Sequence, residues 1–267
     1  MKKHNIVLWI CFILLLAFRL VVKGDNSPYW LGLALITLAL SIFLLIKNGL
    51  PSRKYVIISV IFAVLSMVAY LGYQQNPFIL IYGLRAGIPT LLSSFAVFSV
   101  MQKHKDYKLL SRQTRMSPLI SILIAILSGA ILSVINILIS GHQVNFQFSL
   151  LKLLICFNPA IYEEMACRAI FMAFCVYCVS VESKPQNNNA DAATGESKKM
   201  NLFDIITMYF MMIVPHTVIH GYDLTPTLML CVLFGLPFAL LQTKRDITSA
   251  MISHGIVDAV RFTLVGI

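Results

Sequence analysis

Charge is scarce in this sequence. Asp, Glu, Lys and Arg make up 12% of its 267 residues against 58% hydrophobic ones, whereas soluble domains carry about 25% charged residues. That scarcity excludes an ordinary soluble domain and points to an all-α polytopic membrane bundle with little folded mass outside the bilayer. Acidic residues are the scarcer sign, 11 against 21 basic ones, for a formal net charge of +10. Most Lys and Arg fall in short connections between apolar runs, so the excess reads as topology and no nucleic-acid partner is expected. A small-residue cleavage site is missing after the first apolar run, which follows Lys2 and Lys3, and apolar runs recur along the whole chain. A signal peptide is therefore not expected, and Met1 is expected to be retained. The CxxC formed by Cys175 and Cys178 lacks a second pair. All six cysteines lie in apolar stretches, where a small soft side chain packs well, so membrane packing is expected rather than metal or redox use. No internal repeat of the transporter kind is evident.

What the sequence has in abundance is apolar length. A hydrocarbon core about 30 Å thick needs roughly 20 apolar helical residues. Stretches near 5–22, 29–46, 55–73, 78–101, 118–140, 148–179, 202–219, 226–242 and 247–266 supply about eight or nine candidates. Gly24, Asn26, Pro51, Asn76, Gly141 and Gly221 punctuate them as turn formers. With Lys2 and Lys3 cytoplasmic, alternation places Lys47, Arg53 and Lys54 on the same side, followed by Lys103, Lys105, Lys108, Arg112 and Arg115. Lys198, Lys199, Lys244 and Arg245 join them there. The opposite connections hold few positive charges, which predicts a cytoplasmic N-terminus. Residues 180–200, with Asn187, Asn188, Asn189 and Gly195, are polar and aperiodic and read as a flexible cytoplasmic loop. The chain is thus expected to divide into N-terminal transmembrane helices, 1–117, and a core over 118–267 that contains this loop.

Ionisable residues inside an apolar stretch cost on the order of 2.5–3.5 kcal/mol each to insert, so each needs a partner or a purpose. The sixth stretch carries Asn158-Pro159-Ala160-Ile161-Tyr162-Glu163-Glu164-Met165-Ala166-Cys167-Arg168 about halfway along. Residues four apart share a helix face, so Glu164 is expected to pair with Arg168. Glu163, about 100° around the helix, is then left free to take a proton. Pro159 frees a carbonyl one turn earlier, which suits a bend or an aqueous cavity. Later stretches hold His216 with His220, and His254 with Asp258, each pair spaced for one helix face. Together these seven residues form the expected site. Arg85, before Gly87 and Pro89 in the fourth stretch, reads either as a cavity charge or as a snorkelling or ion-paired arginine, and is left out of the expected site. Arg19, Lys152 and Asp204 are read as charges near span ends, and His104 and His142 as loop residues.

Glu-Glu-x-x-x-Arg in a membrane helix, then a histidine-bearing helix, then His-x-x-x-Asn/Asp near the C-terminus, resembles the CAAX protease and bacteriocin-processing family, also called the Abi family. The resemblance covers roughly residues 118–262. It matches Glu163, Glu164 and Arg168 to the first motif and His254 with Asp258 to the third. The second motif, Phe-x-x-x-His in the family, fits either His216, preceded by Met212, or His220, preceded by His216. Gly221 after His220 favours the latter. Cys167 and Ala169 flank Arg168 where the family often has Phe and Gly, marking a divergent member. The resemblance implies a helix bundle around a conical cavity in a bacterial cell membrane. It also implies metal-independent, cofactor-free hydrolysis of a peptide or protein substrate. Glu163 and the second-motif histidine would activate water, and His254 with Asp258 would face the tetrahedral intermediate.

Other functions fit part of this pattern. A bacteriocin immunity protein or membrane scaffold would keep the bundle and bind a partner without cleaving it. A zinc hydrolase would use the histidine pairs and carboxylates, although the His-Glu-x-x-His order is missing. A proton-coupled transporter would use intramembrane Glu and His as a relay. Counting 1.5 Å per residue from the cytoplasmic ends sets His254 about 10 Å shallower than Glu163 and His216, so convergence of these groups is the point on which the reading turns. Neither the substrate nor the oligomeric state follows from the sequence.

Overall fold

Apolar runs of this length satisfy their backbone groups internally, and the chain does so as helices. The computed structural model describes residues 2–21, 27–72, 79–104, 107–141, 144–182 and 200–265. Among these there is no strand. Eleven α-helices follow in order: α1 (Lys3–Val21), α2 (Ser27–Asn48), α3 (Arg53–Val68), α4 (Ile79–Met101), α5 (Ser117–Ser140), α6 (Leu150–Ile155), α7 (Ile170–Glu182), α8 (Leu202–Val218), α9 (Leu224–Leu230), α10 (Leu236–Lys244) and α11 (Ile247–Val260). Wide turns with i→i+5 bonding join several of them end to end. Asn158–Glu163 and Met165–Ala169 link α6 to α7, Cys231–Gly235 links α9 to α10, and Arg261–Val265 extends α11.

Among the described residues, six helical segments are long and apolar enough to cross a membrane: Pro28–Asn48, Arg53–Leu71, Leu80–Met101, Ser117–Ser140, Leu150–Glu182 and Leu224–Lys244. Over its described residues each of the nine apolar stretches is largely helical, but α1 is not among the six, and α8, at 17 residues, and α11, at 14, are shorter than a full crossing. The expected count of eight or nine crossings is therefore not reached by length and composition. Of the expected turn formers, Gly141 and Gly221 adopt left-handed backbone beyond α5 and α8, as does Gly49 beyond α2, with φ of 63, 76 and 76°. Gly24, Asn26, Asn76, His142 and residues 183–199 of the expected loop lie outside the described residues.

Burial ranks the segments. In the Leu150–Glu182 segment 78% of the most apolar window is buried, against 22% for Ser117–Ser140, so the former is the axis of the bundle. Met165, Ile170, Phe171, Met172, Met211 and Met212 are fully enclosed around it. Large apolar side chains such as Leu14, Ile61, Leu127 and Leu138 face outward. In water these would be a liability; against lipid they are the solvated face. Between helices, small hydroxyls pair: Ser41 Oγ with Ser93 Oγ at 3.1 Å, Thr90 Oγ1 with Ser66 Oγ at 3.3 Å and Ser253 Oγ with Ser128 Oγ at 3.3 Å. Interhelical polar contacts of this kind suit a medium that offers no hydrophobic drive between helices.

One end of the bundle gathers the basic connections. Lys103 Nζ donates to Asn48, tying the end of α4 to the α2–α3 turn. Lys2 Nζ donates to Asp204 Oδ2 at 2.6 Å, and Asn5 Nδ2 to Asp204 Oδ1 at 2.8 Å. His4 Nδ1 lies 3.2 Å from Glu182 Oε1, so α1 is fastened to the end of α7 and the start of α8. Asp204 is thus not a cheap span-end charge. It is fully buried and also closes a capping box with Asn201. At the same end Asp246 caps α11 through Ser249 N and accepts from Ser111 N and from Ser121 Oγ at 2.6 Å. Arg245 donates to Ser121 Oγ and Ser117 O. At the opposite end, the segment before α6 lies beside the Arg261–Val265 turn, with Asn145 N and Gln147 N donating to Leu264 O and Thr263 O.

Candidate functional site

The axis segment is where the sequence placed its carboxylates, and the local geometry there is unusual. Pro159 has no N–H to bond the preceding turn, and the backbone around Glu164 is wound wide on both sides. Single wide turns of this type are frequent at functional sites because they re-aim side chains and loosen the bonding ladder. Gln242 Nε2 donates to the Glu164 carbonyl at 3.3 Å, satisfying one group of that altered ladder from α10.

All seven residues expected from the sequence meet here. Arg168 Nη1 donates to Glu164 Oε1, the expected pairing, and both side chains are enclosed, 2% and 0% exposed. Arg168 Nη2 donates to His216 Nδ1 at 3.2 Å. Guanidinium groups have no acceptor, so Nδ1 of His216 accepts and its Nε2 carries the proton. That Nε2 lies 2.8 Å from Glu163 Oε2. His254 bridges the two carboxylates: its Nδ1 donates to Glu164 Oε1 at 2.7 Å, and its Nε2 stands 3.6 Å from Glu163 Oε2 and 3.4 Å from Asp258 Oδ2.

Three expectations change in detail. Glu163 is not isolated: His216 Nε2 stands 2.8 Å from its carboxylate, close but out of line for a hydrogen bond. The histidine on Glu163 is His216 rather than His220, which is exposed and sits edge-on to His216 with ring centroids 5.2 Å apart. The depth mismatch of about 10 Å is gone. It assumed that α11 begins at the end of the bundle, whereas the α10–α11 turn is itself buried: Asp246 and Ile247 are 1% and 0% exposed, and Ile247 N donates to Lys108 O. Two glycines let α11 close in. A Cβ on Gly129 of α5 would stand 2.9 Å from Ser253 O, and one on Gly255 would stand 3.1 Å from Ala160 Cβ.

No family model, curated protein or solved structure matches the chain. The site therefore has to be understood from its own residues.

Glu163, Arg168, His216, His220, His254 and Asp258 line a cavity of about 220 Å³, together with Asn158, Asn136, Thr217 and Arg261. Space of that size admits several waters. A second cavity of about 260 Å³ lies on the other side of the axis segment, between Trp30, Tyr70, Tyr82, Arg85 and Tyr162. Asn158 and Glu163 line both. Arg85, for which the sequence left a cavity charge as one of its readings, lines this second cavity with Asn158 and Glu163. Trp30 stands between the cavities, its ring 6.2 Å from Tyr162, 6.1 Å from His216 and 6.5 Å from His220.

Sequence reasoning passed over Asn158, Trp30, Phe238 and Gln242. Phe238 supports the cluster from α10: the His254 ring stacks on it at 4.4 Å and the Arg168 guanidinium lies over it at 5.4 Å. Of the four, only Asn158 carried a signal, as a polar residue before Pro159 in an apolar run. The positive charge of Arg168, set among the carboxylates and both buried imidazoles, opposes a cation at that position. Among the described residues no group of three or more His, Cys, Asp or Glu side chains is arranged to hold a metal ion.

Proposed function

We propose that this chain is an intramembrane endopeptidase of the CAAX protease and bacteriocin-processing type, acting without a metal. The observation that carries the reading is the convergence of Glu163 with the His216 and His254 Nε2 atoms, at 2.8 and 3.6 Å, on the wall of a cavity that admits water. Water bound at Glu163 loses a proton to the carboxylate as its oxygen attacks the amide carbon. The tetrahedral intermediate collapses with cleavage of the C–N bond. The proton held by Glu163 passes to the departing amine, with His254, between Glu163 and Asp258, placed to relay it.

Asp258 as a carboxylate only accepts, so the oxyanion needs another donor. Asn158 lines the cavity one turn from Glu163 and can offer an amide N–H. Arg168 adds positive charge behind it, where low dielectric makes such groups most effective. In this reading α1, α8 and α11 cross the bilayer with the six longer segments, giving nine spans, the upper of the expected eight or nine, in a bacterial cell membrane. Purified protein in liposomes should cleave a peptide substrate, and Glu163→Gln should lose turnover while its thermal stability stays close to the parent's.

One observation favours a second reading. The family's third motif ends in Asn or Asp, and here Asp258 beside His254 leaves no amide donor for an oxyanion at that position, a donor that a bacteriocin immunity protein or scaffold binding a peptide without cutting it would not need. Protection of cells that survives both Glu163→Ala and His254→Ala selects that reading.

A further inference from the structure

We infer that the site is reached from the membrane face opposite the basic end of the bundle, and that its substrate is a polypeptide segment presented on the non-cytoplasmic side. The second half of this inference rests on the endopeptidase reading; the first half does not.

The direction of opening is written along α8. Asp204, at its start, is buried under Lys2 and Asn5 at the basic end. His216, three turns on, is buried in the cluster, and His220 and Tyr222, beyond its end, line the same cavity and are exposed. The cavity therefore leads away from the basic end. The other elements agree. Asn136 lies in the last turns of α5, Asp258 in the last turn of α11 and Arg261 just beyond it. These are the ends farthest from Ser117, Arg245 and Asp246, which are linked through Ser121 at the basic end.

Charge fixes which face this is. Lys2, Lys47, Arg53, Lys103, Arg112 and Lys244 all belong to the basic end. The opposite half has Arg19, Arg85, Lys152 and Arg261 among the described residues, fewer than the basic end. Short connections rich in Lys and Arg stay in the cytoplasm, so the mouth at His220 and Tyr222 faces out.

The second cavity indicates what enters. Its aromatic residues Trp30, Tyr70, Tyr82 and Tyr162 come from the same outer half of the bundle: the start of α2, the turn just past α3, the start of α4 and the axis segment. A chain lying across Asn158 and Glu163 would set an apolar side chain among those rings while its amide faces the histidines. Aromatic walls with a few convergent polar groups are the usual make-up of such a subsite.

The test separates access from chemistry. Asp223→Cys and Val144→Cys mark the mouth, and Gln102→Cys and Arg112→Cys mark the basic end; all four positions are exposed. The full-length variants are treated in right-side-out and inverted membrane vesicles with a membrane-impermeant maleimide, with the parent chain as baseline for its own cysteines. Labelling of the mouth positions in right-side-out vesicles and of the basic-end positions in inverted ones is expected; the reverse pattern overturns the inference. The same vesicles then receive internally quenched peptides with Phe or Asp beside the central bond. Cleavage of the Phe peptide only from the outer side is expected, and cleavage only in inverted vesicles overturns the assignment. Mouth labelling from outside with neither peptide cut on either side overturns the substrate assignment and leaves the direction of access standing.

Discussion

Arg168 offers the most quantitative test of how the cluster is held. Its guanidinium touches Glu164, His216 Nδ1 and the Phe238 face, and it is 2% exposed beside a Glu164 that is fully enclosed. Replacing Arg168 with Met keeps the volume but leaves Glu164 as a buried carboxylate without its counter-charge. Breaking one partner of such a pair costs about 3–5 kcal/mol. The lower part of that range is expected, because the His254 Nδ1–H donor at 2.7 Å remains. Adding Glu164→Gln to Arg168→Met removes the stranded charge, and the double variant should recover at least ~1 kcal/mol, a coupling within the range seen for touching residues. Unfolding in mixed micelles with a rising fraction of denaturing detergent, followed by far-ultraviolet circular dichroism, measures all three proteins. A cost below about 1 kcal/mol for Arg168→Met, the size of an exposed ion pair, would refute the buried pair. So would a double variant no more stable than the single one.

The remaining predictions address the frame and the chemistry. Gly129→Ala places a Cβ 2.8 Å from Ile256 Cβ and 2.9 Å from Ser253 O; thermal unfolding should show a loss of about 1–3 kcal/mol from overpacking, and unchanged stability contradicts the close approach of α5 and α11. Asp246→Ala removes the α11 cap and the acceptor for Ser111 and Ser121, for a loss of about 2 kcal/mol or more; a neutral result means the buried turn does not set the depth of His254. Asn158→Ala should lower kcat about 10²-fold with KM nearly unchanged, as for loss of an oxyanion donor; an effect on KM alone makes Asn158 a binding residue instead.

The sequence made the helices and the cluster legible for one reason: charge in an apolar run is conspicuous, and helical spacing says which charges share a face. Glu164 with Arg168 follows from four-residue spacing alone. Local reasoning fails where a distant element decides. His216 rather than His220 reaches Glu163 because the axis segment meets α8 at its last turn and His220 lies past the helix end, a fact of packing. The depth of His254 depends on the 107–112 segment covering Asp246, which no count along α11 reveals. Asp204 looked like an interfacial charge because its partners, Lys2 and Asn5, are some 200 residues away in the chain. Phe238 and Gln242 carry no mark in the sequence at all; one is an ordinary apolar residue and the other an isolated amide near a helix end. The wide turns around Glu164 were foreshadowed by Pro159 only as a place where bonding must loosen.

The central claim is that Glu163 activates a water held in this cavity. It is tested most directly by peptide cleavage in liposomes prepared in 18O-labelled water, comparing the parent chain with Glu163→Gln by mass spectrometry. The account predicts one 18O atom in the new carboxyl terminus, none in the amine fragment, and a rate at least about 10²-fold lower for Glu163→Gln at equal folded protein. Labelled product from Glu163→Gln at the parental rate would contradict it.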